Sequence, residues 1–164
     1  SAVFDRESSA KIESIRLQRW SDQQKIEYET IKLQLANASS EEQQRIASEW
    51  AKAFDATDNY DIFDAQDETL DIQYNLNKKV FSEFIALRDT PGCLKDEFSK
   101  IDIPAVVIHG DYDPHPIEGI RPFLENCIEN INFYVLEKCG HYPWNERHAR
   151  NRFYEILRQE LKEG

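Results

Sequence analysis

The stretch Ile103-Pro-Ala-Val-Val-Ile-His-Gly-Asp-Tyr-Asp-Pro-His-Pro116 decides the fold. Its first half is a short apolar run, Ala105 to Ile108, rich in β-branched residues and bounded by Pro104 and Gly110. A run of that length and composition reads as a strand buried on both faces, as inside a parallel sheet. Pro104 stands at the strand's first position, where a missing N–H is tolerated. The second half of the stretch is polar, with His109, Asp111, Asp113 and His115 in close succession. Ligands of open parallel sheets bind beyond the carboxyl ends of the strands, so this cluster stands where chemistry is expected.

Downstream, Asp113 followed by Pro114 predicts a helix cap and a first helical position. That helix is expected to run to about Asn126, with Ile120, Phe123, Leu124 and Cys127 turned inward. Ile131 to Leu136 predicts a second strand, Cys139 to Trp144 a loop, and Arg147 to Lys162 a last helix. Ala149, Phe153, Ile156, Leu157 and Leu161 form the last helix's apolar side. Strand, helix and strand at this spacing make a βαβ unit with parallel strands. Parallel strands end at the same sheet edge, so the loops carrying Asp113 and His141 emerge side by side. A carboxylate that accepts a hydrogen bond from one imidazole nitrogen leaves the other free to take a proton, and stabilises the imidazolium that forms. On spacing alone, Asp113 is most simply a helix cap and His141 a loop residue held by backbone.

Upstream, residues 1–100 read as helices with short breaks, and no glycine precedes Gly92. The first helix is expected over Ser8 to Arg19. Ser21 with Gln24 forms a capping box for the second, with Tyr28, Ile31 and Leu35 on its stripe. Ser40 with Gln43 is read as a second capping box, ahead of the stripe Ile46, Ala47, Trp50, Ala51 and Phe54. Asp55, Asp58, Asp61, Asp64 and Asp67 recur every third residue, a spacing that could suggest a cation site. Without a glycine at a calcium-loop position, the segment 55–68 reads as a solvated loop or a short turn of helix. A further helix is expected from Leu70 to Arg88, with Leu76, Val80, Phe81, Phe84, Ile85 and Leu87 on its apolar face. Thr90-Pro91-Gly92 supplies its stop, and Cys93 to Lys100 a short helix or turn. The division is a helical region over 1–100 and a βαβα unit over 101–164.

The 164 residues carry 20 Lys and Arg against 31 Asp and Glu, a net charge of −11. A chain this acidic repels nucleic acid phosphates and anionic membranes. No apolar run approaches the ~18 residues that span a bilayer. The three cysteines, Cys93, Cys127 and Cys139, lack disulfide-framework or metal-binding spacing, so reduced thiols in a cytoplasmic protein are expected. The chain contains no methionine, from which it is expected to be an internal piece or a processed product.

The strand with Gly-x-x-Asp at Gly110 to Asp113, and the second strand followed by Gly140-His141, resemble the C-terminal part of an α/β-hydrolase. The helical region before them is similar to the cap of the proline-iminopeptidase-like members. The resemblance implies an α/β fold fragment made of cap plus last two strands. It implies Asp113 and His141 as the acid and base of a Ser-His-Asp triad, no cofactor, and an ester, amide or N-terminal peptide bond in a small-molecule or peptide substrate. The family places its serine on a Gly-x-Ser-x-Gly elbow, and no glycine here lies two residues from a serine. The 164 residues alone are therefore expected to be inactive, and to associate as a homodimer or with a missing N-terminal half. The second reading is a non-catalytic binding protein that keeps the fold.

Several residues carry competing readings. Asp111 could be the triad acid, although the Gly-x-x-Asp register favours Asp113. His109, Asp111, Asp113 and His115 alternate like metal ligands, but Pro114 breaks the alternation, and no metal site is assigned. His148 is expected to face solvent. Trp144 could line a site entrance or simply pack, and Cys139 reads as a buried thiol. Trp50 or Phe81 could roof a substrate pocket.

Overall fold

Pro104 supplies no N–H, and the strand starts at the next residue. The structure, a computed structural model, describes residues 3–63 and 73–163. β1 (Ala105–Gly110) pairs in parallel with β2 (Ile131–Leu136), Ala105 opposite Ile131 and Gly110 opposite Leu136. Among the described residues, four helices and a short fifth precede them: α1 (Arg6–Arg19), α2 (Asp22–Asn37), α3 (Ser40–Asp58), α4 (Tyr74–Asp89) and α5 (Cys93–Phe98). Between and after the strands come α6 (Arg121–Glu125) and α7 (Arg150–Glu163). The fold is α/β, with a helical N-terminal region.

Side-chain alternation along the strands fixes two apolar layers. Ala105, Val107, Ile131 and Phe133 pack on one face against Ile120, Leu124 and Ile128. Ile108, Tyr134 and Leu136 pack on the other against Cys139, Ala149, Phe153 and Ile156. Val3 and Phe4, at the chain's start, belong to the first layer, and Phe4 N–H donates to the Gly119 carbonyl at 2.7 Å. Packing thus crosses residue 100. A third core is internal to the helices, where Trp20, Ile46 and Trp50 gather Tyr28, Ile31, Leu35 and Phe54.

Several local expectations are corrected. The helix expected from Pro114 to Asn126 is replaced by a turn, a 3-10 segment at Ile117–Gly119 and the five-residue α6. Asp113 is not a helix cap: its carboxylate accepts the amide N–H of His115, two residues on, which closes a turn instead. Pro116 disfavours helical backbone at His115, and Pro122 then opens α6. α3 is capped by Ser39, whose hydroxyl accepts from Glu42 N–H, and not by Ser40. The side chain of Gln43 donates to the Leu35 carbonyl and ties α3 to α2. The capping box at Ser21 and Gln24 forms as its spacing requires.

α3 also runs on to Asp58, where a loop or a short turn of helix was expected from Asp55. Asp58 pairs with Arg16 and Asp61 with Arg147, so these acids do not converge on a cation. Asp64, Asp67, the start expected at Leu70 and the side chains of Ala51 and Asp55 lie outside the described residues. Leu76, Val80, Phe81 and Leu87, expected to be buried on α4, are half exposed, and Leu161 on α7 is mostly exposed. Their apolar faces find no covering layer among the described residues. Phe81 stacks on Phe84 at the surface, and Trp50 is buried in the helical core.

Candidate functional site

Parallel pairing sets both site loops at one edge of the sheet, and cross-loop backbone bonds lock them. Asp111 N–H donates to the Leu136 carbonyl at 3.0 Å and Tyr112 N–H to the Cys139 carbonyl at 2.8 Å. The approach is close enough to demand glycine. A Cβ on Gly110 would lie 2.1 Å from the Cys139 carbonyl oxygen. One on Gly140 would lie 2.2 Å from the Asp58 carbonyl oxygen.

The two residues expected to form the dyad meet. Asp113 Oδ2 lies 2.9 Å from His141 Nδ1. Asp111 is not the partner of His141; its carboxylate accepts Cys139 N–H at 3.2 Å. His115, considered in sequence only as one of four alternating residues, is the second occupant of Asp113. Its Nδ1 lies 2.7 Å from Asp113 Oδ1, the same oxygen that accepts its amide N–H at 2.9 Å. Because the carboxylate accepts, both imidazoles present Nδ1–H to it. His141 then carries its lone pair on Nε2, which makes no hydrogen bond among the described residues. No short-range motif announces His115. The signal available was its offset of two residues from Asp113, the spacing of an Asx-turn.

Burial alone would raise the Asp113 carboxyl, but the His115 and His141 side chains and the His115 amide hold it well below the usual carboxylate range. The linkage has a definite sign. A depressed carboxylate stabilises the fold above its unfolded value of about 3.9, and that contribution is lost as pH falls below there. His109, also buried, has its proton affinity lowered by desolvation against the opposing pull of Asp113. Its Nε2 lies 3.0 Å from the His115 carbonyl, which accepts, so the ring is a neutral prop under the turn.

Cys139 is fully buried, and burial, with Glu146, Asp111 and Asp113 nearby, pushes its thiol up to about 12. It stays protonated at neutral pH and is no nucleophile. Trp144 is half exposed and packs between Tyr142 and Phe153. His148 is half exposed, as expected, but has its Nε2 3.3 Å from Asp61.

The His141 loop is held from outside by the end of α3. His141 N–H donates to the Asp58 carbonyl at 2.8 Å and Tyr142 N–H to Asn59 Oδ1 at 3.3 Å. Glu146 has no exposed surface, and its carboxylate accepts N–H bonds from Tyr60, Asp61 and Gly140, each at 2.7 Å. Ile62 forms an antiparallel bridge with Glu146, and Asp61's carbonyl accepts Arg147 N–H. Sequence reading missed Glu146 altogether. Its neighbours are polar, and it falls between the expected loop and the expected last helix, where no pattern marks it.

Donor atoms of Asp113, His115 and His141 lie within 4.8 Å of one another and could in principle hold a divalent ion. Both Nδ1 atoms already carry protons donated to the carboxylate, so metal binding there would have to displace them.

Comparison with known proteins adds little. No protein-family model matches the chain, and no curated protein does. The crystal structure of VinJ is similar at 18% identity and a TM-score of 0.46, over 82% of this chain and 48% of VinJ. The chain therefore spans about half the length of that structure. No described helix is long and apolar enough to cross a membrane.

Proposed function

We propose that the chain is the C-terminal part of a serine-type α/β-hydrolase that cleaves an ester, amide or N-terminal peptide bond. Residues 1–100 act as its cap. Asp113 orients His141, and His141 Nε2 takes the proton of a serine lying outside these residues, then returns it to the leaving group. The observation that carries this reading is the 2.9 Å contact of Asp113 Oδ2 with His141 Nδ1, which leaves Nε2 as the acceptor. No cofactor has a part in the reaction.

A fluorophosphonate probe tests the reading. It is expected to label the polypeptide that joins this chain to its nucleophile, and His141→Ala is expected to slow labelling by about a thousand-fold or more. Failure of that polypeptide to react sinks the proposal. The 164 residues alone are expected to turn over neither a p-nitrophenyl ester nor an aminoacyl amide. Turnover by them that is lost in His141→Ala would show the nucleophile to be within the chain. The second reading, a binding protein that keeps the fold, draws on the lack of any described hydroxyl bonded to His141 Nε2, and predicts no labelling.

The same proposal predicts association. The described sheet has only two strands, so each has an unpaired edge, and a two-stranded sheet alone is marginal. The exposed Leu76, Val80, Phe81 and Leu87 of α4 add apolar surface. The isolated chain is expected to elute as a dimer or larger species, with its mass read by light scattering. A monodisperse monomer counts against it.

A further inference from the structure

Asp113 serves two imidazoles, and only one is needed to orient a base. We propose that His115 is a positioning residue: it clamps the Asp113 carboxylate and divides that carboxylate's support between its own ring and His141. The role deepens the dyad reading above and rests on it.

The geometry is specific. Asp113 is almost wholly buried, so its rotation is decided by its donors. His115 gives Oδ1 two of them, ring Nδ1 at 2.7 Å and amide N–H at 2.9 Å. Oδ2 is thereby presented to His141 Nδ1 at 2.9 Å. The His115 and His141 rings lie with centroids 4.9 Å apart, tilted by 33°. At that separation a charge on one ring opposes a charge on the other, and both draw on one carboxylate. His115 therefore does two opposed things. Its bonds hold Asp113 towards His141, and its sharing weakens what Asp113 can give.

The other groups around the pair come from every adjoining element. From β1, His109 Nδ1 stands 4.0 Å from Asp113 Oδ2. From α1, Arg19 acts on Asp113 through its charge. From the loop after β2, the Tyr142 ring stands edge-on to His141 at 5.1 Å. Asp111 is turned away to the Cys139 amide. His115 Nδ1 and His141 Nδ1 both donate to the Asp113 carboxylate, so His115 competes with His141 directly.

The amide bond of residue 115 to Oδ1 survives loss of the ring, so the sharing outweighs the clamp and fixes one sign that the 164-residue chain with 15N-labelled histidine can test. His115→Phe keeps a ring of similar shape and the amide bond, but removes the shared donor. The His141 ring is then expected to take up its proton at a pH about half a unit or more higher than in the parent chain, because the carboxylate is no longer divided. Its Nδ1–H resonance is expected to move further downfield. Asp113→Asn is expected to move the midpoint the other way. His115→Gln, which retains a side-chain N–H donor, is expected to fall between Phe and the parent; it also carries the test if the Phe variant loses its fold.

A midpoint that falls or stays put in both His115 variants overturns the proposal. That result would mean that His115 only braces the turn. The measurement needs no nucleophile. A rise in His141's midpoint without fluorophosphonate labelling keeps the shared carboxylate and sinks the hydrolase; labelling without the rise does the reverse.

Discussion

Glu146→Ala is expected to be the most damaging single substitution in the chain. The carboxylate has no exposed surface and satisfies three backbone N–H groups, those of Tyr60, Asp61 and Gly140. Water cannot replace it without opening the packing between residues 59–61 and the loop that carries His141. Orphaning a buried donor costs roughly 1–3 kcal/mol each. The loss over three is expected to be about 3–5 kcal/mol, because partial relaxation recovers some of it. At this chain length that lowers the melting temperature by about 10 °C. Glu146→Gln keeps the shape but turns an NH2 group against a backbone N–H, and is expected to fall between the two. Native-state hydrogen exchange adds a local signature: the Tyr60, Asp61 and Gly140 amides lose protection before the strand amides do. A Glu146→Ala chain that melts within about 2 °C of its parent would refute this account of the carboxylate.

Arg16→Ala is expected to come next. Asp58 is buried, and its carboxylate is gripped by Arg16 through Nε at 2.7 Å and through a second guanidinium nitrogen. Thr57 Oγ1 is its other partner, at 3.1 Å. Arg16 also lies 4.5 Å over the Phe54 ring. Removing the arginine takes the paired cation from a buried carboxylate, which costs roughly 3–5 kcal/mol. Asp58→Ala is expected to cost less, because the Arg16 side chain is 20% exposed and can turn to water. The double variant is expected to lose less than the sum of the singles by more than ~1 kcal/mol, the mark of a direct pair. Additive losses in chemical denaturation would disprove the coupling. The consequence reaches the site, since the Asp58 carbonyl accepts the His141 amide.

Much of the fold was legible because it is written in local periodicity. The second strand runs from Ile131 to Leu136 as its β-branched and aromatic run indicates, and the first begins at Ala105 after its proline. The Ser21 and Gln24 capping box closes over three residues and depends on nothing remote. Errors cluster where a distant partner overrides the local signal. Asp113 and Pro114 spell a helix start, yet the carboxylate is taken by His115 and His141, and a turn results. Asp58 looks like a loop acid, yet Arg16, 42 residues away in sequence, draws it into the end of α3.

The sequence by itself determined that Asp113 and His141 share a sheet edge. Two parallel strands joined by a crossover leave no other arrangement for the residues that follow their carboxyl ends. It also determined that Gly110 and Gly140 flank them; the close approach of the two loops leaves no room for a side chain at Gly110, and the backbone at the end of α3 leaves none at Gly140. Only the tertiary structure decided which acid faces His141, that His115 shares that acid, and that Glu146 and Asp58 anchor the loop from the helical region. The physical reason is the range of the forces. Hydrophobic period and turn chemistry act over a few residues and are recorded in order along the chain. A buried carboxylate chooses among whatever donors the packing brings within about 3 Å, and that choice exists only once the chain has folded.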